Sequence, residues 1–167
     1  MTAFDPDALF ACLDQHRVKY VLIGGLAAVL HGSPLPTVDA DICPSREADN
    51  LLRLAAALTD LDARIRSADA PAGVPFPRDA TFLATAQLLN LVTRVGDLDL
   101  AFEPAGGADY ATLAPRARHV RVRDFVILVA ALEDVIKSKE AADRPKDQRS
   151  LPVLRQLLEE LRRRGEA

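Results

Sequence analysis

Two aspartates one residue apart, Asp39 and Asp41, stand in the stretch Val38-Asp39-Ala40-Asp41-Ile42. On a strand, alternate side chains share a face, so both carboxylates point one way while Val38, Ala40 and Ile42 point to the core. The two acids then root roughly 6 to 7 Å apart, a spacing that suits ligation of one cation or the bridging of two. They repel each other until a counter-charge such as Mg²⁺ arrives. Read alone, such a pair equally fits the wet face of a half-exposed strand. Asp99, between Leu98 and Leu100 on a second expected strand, faces away from the core in the same manner, whereas Asp97 is assigned to a hairpin turn and to solvent. Three carboxylates on adjacent strands suit two-metal phosphoryl transfer, with Asp99 as third ligand and general base.

Gly24-Gly25 follows the apolar run Tyr20-Val21-Leu22-Ile23 and precedes Asp39 by thirteen residues, Leu26 to Val38. Without side chains, the backbone N–H groups there can approach an anion closely, or the pair simply makes a tight strand-to-helix turn. The pattern matches neither G-x-G-x-x-G nor G-x-x-x-x-G-K-[ST], which disfavours Rossmann and P-loop proteins. Thr37 either bonds a ligand or caps a loop, and His31 reads as a helix-end residue. Arg116, Arg118, His119, Arg121 and Arg123 form the densest basic stretch, suited to guiding RNA or to a solvated hairpin face. Arg162-Arg163-Arg164 is a charged helix end.

The elements that must position these residues follow from periodicity. A first helix spans Asp5 to Arg17, a strand Tyr20 to Ile23, a short helix Leu26 to His31, and a second strand Val38 to Cys43. Ser45 is expected to cap a helix from Arg46 to Leu58 with Leu51, Leu52, Leu54, Ala55 and Leu58 as its apolar stripe. Residues 67–77 read as an irregular excursion. Hairpins follow, Leu88 to Thr93 with Leu98 to Phe102, then His119 to Val122 with Val126 to Val129 across Arg123-Asp124. Helices Leu132 to Ala142 and Lys146 to Arg163 close the chain, with a break at Arg144-Pro145. This order predicts an α/β (α+β) fold, a mixed β-sheet flanked by helices, as a single domain over 1–167 with a core at about 18–130 and a helical part at about 131–164.

Composition agrees with a packed core: the 167 residues are 49% hydrophobic and 27% charged. A net charge of -3 argues against a general nucleic-acid-coating surface. The longest apolar run, Phe125 to Leu132, is far short of the ~20 residues that cross a bilayer, and the N-terminus lacks the pattern of a signal peptide, so no membrane partner and a cytoplasmic location are expected. Cys12 and Cys43 lack C-x-x-C spacing and read as buried thiols.

Gly24-Gly25, the thirteen-residue interval and Asp39-Ala40-Asp41-Ile42 together resemble the signature of the nucleotidyltransferase superfamily. Leu98-Asp99-Leu100 resembles that family's third-acid strand, and "LEDVIKSKEAADRPKD" is similar to the "LEDLIRSKEAAGRPKD" type of segment in small bacterial members, including AbiEii-like toxins. The resemblance implies a minimal nucleotidyltransferase fold that binds a nucleoside triphosphate, such as ATP, with Mg²⁺. It would move a nucleoside monophosphate onto a hydroxyl of tRNA or protein. Gly24 and Gly25 would hold phosphates, and Asp39, Asp41 and Asp99 metal. Lys139 is the first candidate for the triphosphate, with Lys137, Arg144 and Lys146 behind it. A toxin–antitoxin role, with an antitoxin or a second copy as partner, belongs to the same expectation, as does a catalytically silent binder on this fold. Read from the residues alone, these charges also fit a solvated helix end, with Glu140 and Arg144 paired at i and i+4. Asp143 stands where relatives often have glycine, and aspartate tolerates the left-handed turn required there.

Overall fold

The computed structural model describes residues 2–167. Asp5 caps the first helix, α1 (Pro6–Gln15), accepting the Ala8 N–H at 3.0 Å, and Leu9 and Leu13 pack inward. β1 (Tyr20–Ile23) runs directly into α2 (Gly24–Leu30), and β2 (Asp39–Pro44) returns antiparallel to β1. α3 (Ala48–Asp60) leads to the short β3 (Arg64–Ile65), then to α4 (Ala80–Thr85) and the hairpin of β4 (Leu88–Thr93) and β5 (Gly96–Ala101). α5 (Tyr110–Leu113) and one 3₁₀ turn precede the hairpin β6 (Arg118–Val122) and β7 (Phe125–Val129). The chain ends in α6 (Leu132–Ala142) and α7 (Pro145–Arg163).

Among the described residues, seven strands form one mixed sheet in the order β3-β4-β5-β2-β1-β7-β6, with seven α-helices around it. β2 pairs with β5 in parallel, as β1 does with β7; the remaining pairs are antiparallel. One face carries Leu22, Ala40, Ile42, Leu91, Leu98 and Leu100, all fully buried in the core with Leu13, Leu54 and Leu58. Asn50 ties α3 to the sheet. Its Oδ1 accepts the Lys19 N–H at 2.7 Å, and its Nδ2 donates to Lys19 O at 2.9 Å and Ser45 O at 2.8 Å, so a fully buried amide has each end satisfied.

Four details depart from the sequence reading. Val38 is 77% exposed, outside β2, so the core alternation begins at Ala40. The third helix starts at Ala48 because Ser45 Oγ accepts the Glu47 N–H instead of capping it, while Arg46 stretches to the carbonyls of Ala84 and Ala86 and lies over the Phe102 ring. Leu52 is 61% exposed and outside the buried stripe. Glu140 and Arg144 do not pair with each other. Glu140 accepts from Arg155, and Arg144 is held by Asp147.

Candidate functional site

β1 ends at the Gly24 turn and its antiparallel neighbour begins at Asp39, so the register sets Ile23 opposite Asp41. The parallel pairing then sets Asp41 opposite Asp99 and Asp39 opposite Asp97. The interval between glycines and acids is α2 plus the proline-bearing loop, which carries the chain back to the same end of the sheet. Along this face burial fades: Val21 and Cys43 are fully enclosed, and one rung on, Ile23 and Asp41 are partly open.

Gly24 has φ +69°, and a Cβ built there would sit 2.3 Å from Asp41 Oδ2. Only glycine fits, because the backbone turns left-handed and the carboxylate occupies the space a side chain needs. No side chain caps α2. Thr37 fills the space beside Gly25, and its hydroxyl donates to Asp39 O at 3.3 Å and to Asp39 Oδ1 at 3.2 Å, orienting that carboxylate.

A cavity of about 940 Å³ opens over this face. It brings together every site residue proposed from sequence: Gly24, Gly25, Thr37, Asp39, Asp41 and Asp99 on one wall, with Lys137, Lys139, Arg144 and Lys146 on the α6–α7 wall. Asp97 stands inside β5 on the same face as Asp99, not in the turn. Burial, then the charges of Asp39 and Asp99, push the Asp41 carboxyl up to about 7, against the pull of Lys146 and Lys139. Burial also holds Asp99 above the ordinary carboxylate value, opposed by Arg66. Carboxylates this crowded repel one another unless a counter-charge comes between them.

Asp147 was not singled out in the sequence. Its side chain is fully buried at the α6–α7 junction. It accepts from Arg144 Nε at 2.7 Å, from Arg144 Nη2 and N–H at 3.3 Å each, and from Lys139 Nζ at 3.3 Å. Burial works to raise its carboxyl, but Arg144 and Lys139 outweigh it and the net shift is downward. The available signal was its place three residues after Arg144, where it completes a capping box. Asp143 adopts the left-handed conformation, φ 48° and ψ 32°, so the turn forms without glycine. Arg66, which bonds Asp99, was also missed: it leaves a two-residue strand beside an irregular segment and has no pattern to betray it.

The basic stretch lies elsewhere. β6 is the far edge strand, separated from β2 by β1 and β7, and none of its arginines lines the cavity. Arg116 is paired with Glu133 and Asp134, and Arg123 with Asp7. His31 ends α2, and its Nε2–H donates to Ala130 O at 2.7 Å.

No protein-family model and no curated protein matches the sequence. A crystal structure of a "putative nucleotidyltransferase" from Thermotoga maritima superposes on 96% of this chain and 98% of its own length, with 16% identity and a TM-score of 0.54. The fold is shared. At that identity the likeness speaks for the architecture alone.

Outside the cavity, donor atoms of Cys12, His16 and Asp60 lie within 4.8 Å of one another, a group that could hold a metal ion. His16 Nε2 is 2.5 Å from Asp60 Oδ2, and burial raises the Cys12 thiol, with the Asp60 charge adding to it. Both cysteines are buried and free. The spacing of Cys12 and His16, four apart across the C-terminal end of α1, was the legible signal for this cluster. Among the described residues, no helix is long and apolar enough to cross a membrane.

Proposed function

We propose that this cavity is the site of a Mg²⁺-dependent nucleotidyltransferase that transfers a nucleoside monophosphate from a nucleoside triphosphate to an acceptor hydroxyl. The observation that carries the reading is the register Ile23–Asp41–Asp99, which joins a glycine turn, one acid of the pair and a third acid on one open rung, with Asp39 on the next, beneath a basic wall. A partly buried Asp41, its carboxyl pushed up by burial and by Asp39 and Asp99 and the Gly24 Cβ space given over to it, fits a divalent ion. Asp39 and Asp41 are the residues that would hold Mg²⁺, with Asp99 beside them on the neighbouring strand; when bound, the ion would neutralise triphosphate charge and lower the pKa of a ligated oxygen.

The chain's own groups then divide the work. The backbone at Gly24 and Gly25 receives phosphate oxygens, since no Cβ stands in the way. Lys139, with Lys137, Arg144 and Lys146, meets the triphosphate from the opposite wall, and Asp147 holds Lys139 and Arg144 in place. Thr37 orients Asp39 rather than serving as a principal ligand contact. Asp99, its carboxyl raised by burial, takes the acceptor proton, because a carboxylate of raised pKa is the better base. We read the whole chain as one such domain. A toxin-like member of the AbiEii-like branch, acting on tRNA or protein, rests on the likeness of the α6–α7 segment.

Gly24→Ala is expected to cost roughly 1 to 2 kcal/mol in folding, from strain at positive φ, and to displace Asp41. Nucleotide affinity in the presence of Mg²⁺ should fall at least tenfold while circular dichroism stays native. An affinity matching the unaltered protein would remove the glycine turn from the site. The reaction itself is tested by incubating the protein with each α-labelled NTP, Mg²⁺ and total RNA or protein extract. Label transfer lost in Asp39→Asn and in Asp41→Asn is the expected result. Transfer that persists in both, or none from any NTP with folded protein, overturns the catalytic reading.

A further inference from the structure

Four carboxylates share the open face: Asp39, Asp41, Asp97 and Asp99. Among the described residues, Arg66 is the one cation in direct contact with any of them. Its Nη2 donates to Asp99 Oδ1 at 2.9 Å and to Leu91 O at 3.1 Å, and its Nε lies 3.2 Å from Asp97 Oδ2 without an aligned hydrogen bond. The backbone that carries it is anchored too. The Arg66 N–H donates to Asn90 O on β4 at 2.8 Å, and the preceding Ile65 is paired with Val74 across the irregular segment. Asp39 and Asp41 contact no cation, and the lysines of the opposite wall reach Asp41 only through space.

The distribution is asymmetric. A divalent ion arriving between Asp39 and Asp41 meets two carboxylates with no competing partner, whereas one arriving at Asp99 meets a carboxylate whose Oδ1 already accepts from a guanidinium that is also tethered to the sheet and repels the ion. We propose that Arg66 is a positioning residue that occupies the place of a second divalent ion at Asp99, so that the free protein binds one such ion and Asp99 stays fixed on Arg66, aimed at the acceptor side. The inference rests on the proposed reading of the acid face and narrows it: two metals suit three free carboxylates, and here one of the three is already neutralised. The acceptor approaches over β5 and β4, because the glycine turn and the basic wall take the other side of the acid pair.

The test counts Mn²⁺ ions by electron paramagnetic resonance on the free protein, with no nucleotide and no turnover. The unaltered chain and Arg66→Lys are each expected to bind one Mn²⁺, and Arg66→Ala two, the second at least tenfold tighter than any second ion on the unaltered chain. Should Arg66→Ala fail to fold, Asp99→Asn in the unaltered background answers the same question. It is expected to retain the single ion within about twofold in affinity. Two ions of similar affinity on the unaltered chain, an unchanged count in folded Arg66→Ala, or loss of the ion in Asp99→Asn overturns the inference while the nucleotidyltransferase reading stands. No Mn²⁺ on the folded unaltered chain overturns the inference, and a chain that also fails to bind any NTP with Mg²⁺ overturns the nucleotidyltransferase reading.

Discussion

Asp41→Asn is expected to make the folded protein more stable at neutral pH while removing its Mg²⁺-dependent affinity for nucleotide. Asp41 is pushed up to about 7 in the fold, chiefly by burial and then by Asp39 and Asp99. Its protonated form is therefore the one the fold prefers. The stabilising contribution is full below the unfolded value near 3.8 and is lost as the pH rises through the folded value of about 7. At about 1.4 kcal/mol per pH unit, the shift sets an upper bound of about 4 kcal/mol, and partial access to solvent brings the expected gain to about 2 kcal/mol. The asparagine is isosteric and removes the like-charge repulsion without breaking a hydrogen bond, since among the described residues the Asp41 side chain accepts none. Urea unfolding of both proteins at pH 5 and pH 8 reads the effect. The difference between them should be larger at pH 8. A variant less stable than its parent at pH 8 would show that the crowding of Asp39, Asp41 and Asp99 carries no strain.

The opposite outcome is expected at Asp147. This carboxylate is fully buried and gathers both Lys139 and Arg144, so Asp147→Ala leaves two cations without their anchor at the α6–α7 junction. Removing one member of a buried ion pair costs up to 3 to 5 kcal/mol; Arg144 is more than half exposed and can turn to water, so the expected loss is about 2 to 3 kcal/mol. Nucleotide affinity should fall about tenfold as well, measured at a temperature where the variant remains folded. Lost stability with unchanged affinity would make Asp147 a structural anchor alone and would leave Lys139 and Arg144 without a part in binding.

How much of this was legible in the sequence depends on how local the signal was. β1, β4, α6 and the α7 terminus were readable because apolar period and flanking breakers agree, as in Tyr20–Ile23 before two glycines. The acids were readable because Asp39, Asp41 and Asp99 each sit between apolar neighbours that fix their face. The β2–β5 register was beyond reach, since nothing local says that Asp41 stands opposite Asp99 across 58 residues of chain. Val38 was misplaced for a similar reason: alternation predicts a side chain's direction, and whether anything covers that side is decided elsewhere. Arg66 and Asp147 escaped because their meaning is tertiary. One touches an acid two strands away, and the other becomes a buried counter-ion only when α6 and α7 fold against each other. Asp97 was assigned to a turn from its nearness to one, although the strand begins at Gly96 and carries it on the acid face; its side chain is nonetheless 44% exposed, as the solvated reading expected.

The central claim is that the glycine turn, the acid trio and the basic wall are one site for a metal-bound nucleoside triphosphate. Isothermal titration of the four NTPs into the protein, with Mg²⁺ and then with EDTA, beside an Asp39→Asn/Asp41→Asn double variant, tests it most directly. Binding of at least one NTP that needs Mg²⁺ and disappears in the folded double variant is the result this account requires. NTP binding that survives both EDTA and the double substitution, or no binding of any NTP by the unaltered chain, would contradict it.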